Sequence, residues 1–284
     1  MSKARDLIIQ SLEDLRLAGV DFIPRPVVDA PTPPGRVPLP AQPVVVQATA
    51  EPPTSQATMP PPLPLGTPRV GTAEPSARRE LPTAEERARR QALLDEVRDR
   101  YERDAPHQRF VTAHTRIVFG EGDPCARLMF VGEAPGEEED RTGRPFVGRA
   151  GQLLDKMIAA MGLRREQVYI ANVLKTRPPN NATPTPEEAA LCAPYLYDQI
   201  RIVSPEVLVT LGLPATRLIL GTDESMSRLR GRWGAFTTPD GRTIPVMPTY
   251  HPAYVLRQYT PEVRGKVWAD LKLVMDRLGL SPSS

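Results

Sequence analysis

Three segments of this chain carry short apolar runs into side chains able to do chemistry. The run Leu128-Met-Phe-Val131 breaks into Gly132-Glu133-Ala134-Pro135-Gly136 and is followed at once by four acids, Glu137 to Asp140. The run Val168–Val173 carries Asn172 near its end and leads into Lys175-Thr-Arg-Pro-Pro-Asn-Asn181. The run Ile244–Met247 leads into Pro248-Thr-Tyr-His251-Pro-Ala-Tyr-Val-Leu-Arg257. A carboxylate, a carboxamide and an imidazole together supply acceptors, a paired donor and acceptor, and a group that titrates near neutrality. Apolar runs of four to eight residues bounded by turn signals read as buried strands. If they lie parallel, their carboxyl ends share one edge, where open α/β sheets bind ligands. Glu133, Asn172 and His251 are therefore predicted to converge on one cleft. Singly, each has a plain structural account: Asn172 caps a turn, His251 is a surface histidine before a proline, and Glu137, Glu138 and Asp140 are solvated loop charges. Convergence from three separated segments is what favours a site.

Positioning these groups requires strands alternating with helices. Strands are expected at Leu128–Val131, Val168–Val173, Val207–Leu211 and Ile244–Met247, with Thr115–Phe119 as an edge strand. Helices are expected at Ala150–Met161, Pro186–Ile202, Pro214–Leu220 and Pro261–Leu278. Thr83-Ala-Glu-Glu86 has the capping-box pattern and heads a charged helix to about Arg103. Short apolar strands separated by helices indicate a mainly parallel sheet covered on both faces. The expected fold is a three-layer α/β/α sandwich with about four central strands, occupying residues 83–284.

The preceding residues differ in kind. Residues 3–18 place Leu7, Ile8, Leu12, Leu15 and Leu17 close to one stripe and read as a short amphipathic helix, giving a first segment of 1–22. Residues 23–82 hold half of the chain's 34 prolines without any period and read as a disordered linker. Eight basic and eight acidic side chains in residues 1–83 make this tail neutral, which argues against a basic nucleic-acid-binding arm. The helix or the Pro-rich segment is a candidate contact for a partner protein. With a net charge of +2, two cysteines in 284 residues, no stretch of membrane-spanning length and no apolar signal core, the sequence reads as a soluble, monomeric cytoplasmic protein outside the disulfide-scaffold class.

Taken in order, Gly132-Glu-Ala-Pro-Gly-Glu-Glu-Glu-Asp140, Gly143-Arg-Pro-Phe-Val-Gly-Arg-Ala-Gly-Gln-Leu-Leu154, Asn172-Val-Leu-Lys-Thr-Arg-Pro-Pro179 and His251-Pro-Ala253 resemble the uracil-DNA glycosylase superfamily, and within it the family 4 branch. The resemblance runs from about Thr115 to Leu278. It implies an enzyme that flips deoxyuridine out of DNA and cleaves its N-glycosidic bond, and makes a repair or replication protein the partner expected at the N-terminal helix or Pro-rich tail. It makes His251 the donor to the departing uracil, Phe146 the stacking platform and Asn172 the reader of the uracil edge, with Gly132 and Ala134 lining the pocket. Ala134 stands where better-known relatives carry a water-orienting Asp. The resemblance moves that task to nearby acids, and the division expected here is Glu139 for the water and Glu133 for the pocket. The segment from His251 to Arg257 resembles a loop that enters the minor groove, with Tyr254, Val255 and Leu256 as apolar wedges and Arg257 on a phosphate; the plain structural account is that Val255 and Leu256 begin packing beneath the last helix. Lys175, Arg177 and Arg149 are further phosphate candidates.

Family 4 resemblance also implies a four-iron, four-sulfur cluster on four cysteines, and here the chain departs from the pattern. Cys192 stands at one ligand position, Thr176 occupies another sixteen residues earlier, and the segment Ala105-Pro-His-Gln-Arg109 replaces the upstream cysteine pair. Cys125 is at no ligand position. Two thiols do not make a four-thiolate site, so no cofactor and no metal are expected. Two other readings compete with uracil excision: a glycosylase for other deaminated bases, and a DNA-binding repair module without activity. Retention of Glu133, Phe146, Asn172 and His251 together argues against the second.

Overall fold

The computed structural model describes residues 81–282. The helix expected over 3–18 and nearly all of the Pro-rich segment lie outside the described residues. The first described element, α1 (Ala84–Asp104), begins as its capping pattern requires: the Thr83 hydroxyl accepts from the Glu86 N–H at 3.1 Å. Next comes β1, a two-residue strand at Glu121–Gly122. Thr115–Phe119 is not a strand. Its donors are spent elsewhere: Thr115 and Arg116 N–H on the Asp140 carboxylate, and Val118 N–H on the Lys175 carbonyl at 2.7 Å.

Four strands form the parallel centre: β2 (Leu128–Gly132), β3 (Tyr169–Asn172), β4 (Val207–Leu211) and β6 (Thr243–Thr249). A further strand, β5 (Gly234–Thr237), pairs antiparallel with β6, and β1 pairs antiparallel with β3. The complete order is β1-β3-β2-β4-β6-β5. Every residue of β2, β3 and β4 is buried, which explains why these strands read as continuous apolar runs. The antiparallel edges escaped the sequence reading because a two-residue strand has no period, and Gly234-Ala-Phe-Thr237 carries one large apolar residue.

Alternation along the strands sorts side chains into two layers. Met129, Val131, Ala171 and Leu208 pack with α1, with α4 (Pro186–Val203) and with α5 (Leu213–Leu220). Leu128, Phe130, Ile170 and Val209 pack on the opposite face with α3 (Arg149–Ala160), α7 (Pro252–Arg257) and α8 (Pro261–Leu278). Two short helices complete the set, α2 (Glu137–Thr142) and α6 (Met226–Leu229). The acidic run thus opens α2, where carboxylates suit the positive helix terminus. Asp140 is 4% exposed rather than solvated. Burial would raise its carboxyl, but hydrogen bonds from Arg116 and Thr115 outweigh that and hold it below the usual range. No helix among the described residues is long and apolar enough to cross a membrane.

The start of α3 depends on a missing Cβ. A methyl group at Gly151 would lie 1.9 Å from the Phe146 carbonyl oxygen, and backbone cannot swing aside as a side-chain end can. Gly265, in exposed α8 surface, has nothing within 4 Å of the same position. Gly151→Ala should therefore destabilise the fold by ~1–3 kcal/mol as an overpacking change. Gly265→Ala should stabilise it by ~0.5–1 kcal/mol through helix propensity. Urea melts of the two variants check both signs; equal midpoints would contradict the close approach.

Candidate active site

The carboxyl ends of β2, β3 and β6 meet at a cavity of about 340 Å³ lined by Glu133, Phe146, Asn172, Thr183, His251 and Arg257, among others. Gly132, the last residue of β2, makes the meeting possible: a Cβ there would lie 2.3 Å from Asn172 Oδ1 and 2.4 Å from Phe146 Cζ. Asn172 closes β3, paired in register with Gly132, and is 1% exposed. Its Oδ1 is buried without a partner, so an acceptor stands open in the pocket.

Phe146 sits at φ 51°, a left-handed conformation uncommon for a bulky residue. The flanking backbone is held by Glu139, whose Oε1 accepts from Val147 N–H and Gly148 N–H, both at 2.8 Å. Its Oε2 accepts from Gly136 N–H at 3.1 Å. Arg165 adds a bond to the Pro145 carbonyl.

His251 follows β6 and caps α7: its Nδ1 accepts from Ala253 N–H at 3.1 Å. An imidazole whose Nδ1 accepts carries its proton on Nε2 when neutral. Burial, with the positive charge of Arg257, pushes its pKa down to about 4, so the ring is neutral at physiological pH. The His251 and Phe146 rings lie 5.6 Å apart at 34°. Behind them, Thr249 Oγ1 donates to the buried Asp270 at 2.7 Å, and Arg230 grips the same carboxylate.

Glu133 faces the cavity with its carboxyl raised by burial, an effect moderated by the Thr183 side chain and by Arg257. Thr183 was missed in the sequence, where it falls in a featureless polar stretch. The turn delivering it was legible as Pro-Pro-Asn-Asn: Asn180 and Asn181 take φ of 54° and 51°, conformations that Asn tolerates.

The residues proposed to meet DNA divide. Arg149, Tyr254 and Arg257 are exposed, Leu256 is partly buried, and Tyr254 packs on Tyr250 with ring centres 4.8 Å apart. Val255 is 2% exposed in the core beneath α7 and is no wedge. Lys175 is 0% exposed, with its amine bonded inside the protein to the Asn172 carbonyl and Gln199 Oε1. It cannot reach a phosphate. Arg177 is tied to Asn181 Oδ1 and lies 3.6 Å from Glu137.

At the positions where the resemblance implies cluster ligands, Cys192 is buried with its sulfur 4.0 Å from the Tyr101 hydroxyl, and Thr176 is buried. Tyr101 stacks on His107 at 5.4 Å and meets Tyr195 edge-on at 4.9 Å. Among the described residues, no group of three or more His, Cys, Asp or Glu is placed to hold a metal ion. This donor set does not fit a four-thiolate cluster.

Residues 119–272 match the family described as the Uracil DNA glycosylase superfamily. The chain is 48% identical over 159 residues to the Type-4 uracil-DNA glycosylase of Thermotoga maritima, covering 56% of this chain and 81% of that protein. It is 44% identical over 175 residues to the Type-4 uracil-DNA glycosylase of Archaeoglobus fulgidus, covering 58% and 83% respectively. With the Type-5 uracil-DNA glycosylase of Thermus thermophilus it shares 35% identity over 164 residues, 51% of this chain and 71% of that one. A family match over more than half of the chain, set beside a sheet edge where Gly132, Phe146, Asn172 and His251 meet, shows that the chain belongs to the uracil DNA glycosylase superfamily.

Proposed function

We propose that this protein excises uracil from DNA by hydrolysing its N-glycosidic bond. The observation that carries this reading is the open, buried Asn172 Oδ1 in one cavity with the Phe146 ring and a neutral His251. A flipped uracil stacked on Phe146 offers N3–H to Asn172 Oδ1 and O4 to the amide N–H. Cytosine presents an acceptor and a donor at those places, so both contacts invert. Uracil must leave the duplex to reach the buried Asn172 and Phe146 at the floor of this cavity.

As the bond between C1′ and N1 breaks, its electron pair leaves with uracil and negative charge builds at O2. His251 donates Nε2–H there, because the ring is neutral and its Nδ1 accepts from the Ala253 N–H, which leaves the proton on Nε2. A water oxygen bonds to C1′ and gives its proton to a carboxylate. We assign that role to Glu133 rather than Glu139. Glu139 already accepts three backbone N–H bonds and supports the Phe146 turn, whereas the raised carboxyl of Glu133 favours accepting a proton. Arg149, Tyr254, Leu256 and Arg257 serve as the DNA-facing set.

We also propose that the protein works without an iron–sulfur cluster, on the support of its two cysteines and the packed ring cluster of Tyr101, His107 and Tyr195. Stoichiometric iron in the purified protein would overturn this.

Incubation with a uracil-containing oligonucleotide, followed by alkali to break abasic sites, tests the activity directly. Wild-type protein should cut at uracil, and His251→Ala should slow single-turnover excision by ~10²–10³, the range for losing one preorganised donor. Affinity for abasic-product DNA should stay unchanged. A His251→Ala variant as fast as wild type would remove this histidine from the mechanism. The pH profile separates the carboxylates. Glu133 must be ionised to accept a proton, so activity should rise with pH through a limb above the ordinary glutamate value. Glu133→Gln should abolish that limb together with most of the rate. A limb that persists in Glu133→Gln would return the water to another acid.

A further inference from the structure

Lys175 is a fully buried amine for which the mechanism above has no use, and its partners lie directly behind the uracil reader. Nζ donates to the Asn172 carbonyl at 2.7 Å and to Gln199 Oε1 at 2.5 Å. Gln199, itself 0% exposed on α4, donates its amide to the Phe119 carbonyl at 2.8 Å and to the Tyr169 hydroxyl at 3.3 Å. Tyr169 opens β3, so this chain of bonds runs from one end of the strand to the other through α4. The Phe119 ring lies over the amine, its centre 5.5 Å away. Val118 N–H bonds the Lys175 carbonyl at 2.7 Å.

From these bonds we infer that Lys175 is a positioning residue for base recognition, holding the Asn172 peptide through its carbonyl so that the open amide stays aimed into the pocket. Beyond Asn172 the backbone leaves the sheet, with Val173 N–H on the Gly132 carbonyl and Leu174 N–H on the Glu133 carbonyl, both at 3.0 Å, as its bonds to the end of β2 and the turn beyond. The Asn172 carbonyl therefore has Lys175 as its anchor where the strand would otherwise fray. Burial pushes the Lys175 amine down to about 7. A neutral amine has two N–H donors, which matches the two acceptors it meets. Either form of the amine thus has donors enough for both, and the buried Cys192 thiol is a titratable neighbour acting on it.

This inference rests on the reading of Asn172 as the uracil reader, and the experiment keeps the two apart. Lys175→Met preserves length and removes both donors. On uracil-containing DNA, single-turnover excision should fall about 10- to 100-fold, the scale of a small misplacement of a reacting group. Inhibition by free uracil should weaken in parallel, and affinity for abasic-product DNA should not change. Gln199→Glu keeps an acceptor for Lys175 but loses the amide donor to Phe119 and Tyr169. It should lower thermal stability, and excision should fall less than in Lys175→Met because the acceptor for the amine is kept. If Lys175→Met is merely less stable, with unchanged excision and uracil inhibition in the folded protein, the positioning role is overturned. If it does not fold, the side-chain resonances of wild-type protein decide. The signal of Lys175, the one fully buried lysine among the described residues, should shift on adding free uracil, and an unmoved signal overturns the inference. Absence of excision by the wild type itself would instead refute the uracil reading.

Discussion

One carboxylate sets the shape on which this site depends. Glu139 accepts the N–H groups of Gly136, Val147 and Gly148, joining the turn after β2 to the start of α3. Between those anchors Phe146 stands at φ 51°, a conformation costing of the order of 1–3 kcal/mol. Hydrogen bonds to a charged acceptor are worth ~1.5–3 kcal/mol each. Three of them outweigh the strain, so the ring can be held over the pocket in a conformation the chain would not choose by itself. Gly132 and Gly151 are the complement of this arrangement, since each leaves out the Cβ that would fill the space the turn needs.

Electrostatics does for His251 what geometry does for Phe146. The burial that lowers its pKa to about 4 also keeps the ring in one protonation state across the neutral range, and the Ala253 N–H fixes which nitrogen bears the proton. The sign matters for stability as well. A histidine depressed in the folded state contributes stability that is whole above about 6.5, and that declines as pH falls toward 4 while the unfolded chain takes up protons. The pocket therefore couples its readiness for chemistry to a fold that weakens in acid. Asp270 and Arg230 secure the strand end that carries this histidine, much as Lys175 and Gln199 meet the end that carries Asn172.

Much of this was legible in the residues themselves. Continuous apolar runs marked the parallel strands because β2, β3 and β4 are buried throughout and β6 over most of its length, and α8 spans Pro261–Leu278 between Thr260 and Gly279. Asn172 and His251 were found at the ends of apolar runs and Phe146 through the resemblance, and all three share one cavity. What escaped has physical reasons. Lys175 has the composition of a phosphate contact, and only the packing of α4 over β3 turns it inward. Asp140 sits fourth in a run of acids, yet α2 rotates it toward Thr115 while Glu137 and Glu138 face solvent. The wedge attributed to Val255 failed because α7 is a helix with its own buried face. In each case the side chain's partner lies far along the chain or on a helix turn without a sequence signature.

The central claim is that the Asn172 amide reads the base by the direction of its hydrogen bonds. Single-turnover excision by Asn172→Asp, on matched duplexes containing uracil or an unpaired cytosine, tests it most directly. The substitution keeps the size of the side chain and converts the donor that meets O4 into an acceptor. The account predicts a loss of uracil excision of ~10² or more, the scale on which a polar site rejects a mismatched partner, and a shift of the uracil-to-cytosine ratio toward cytosine. Uracil excision near the wild-type rate with an unchanged ratio would contradict it, and would place base recognition somewhere other than the end of β3.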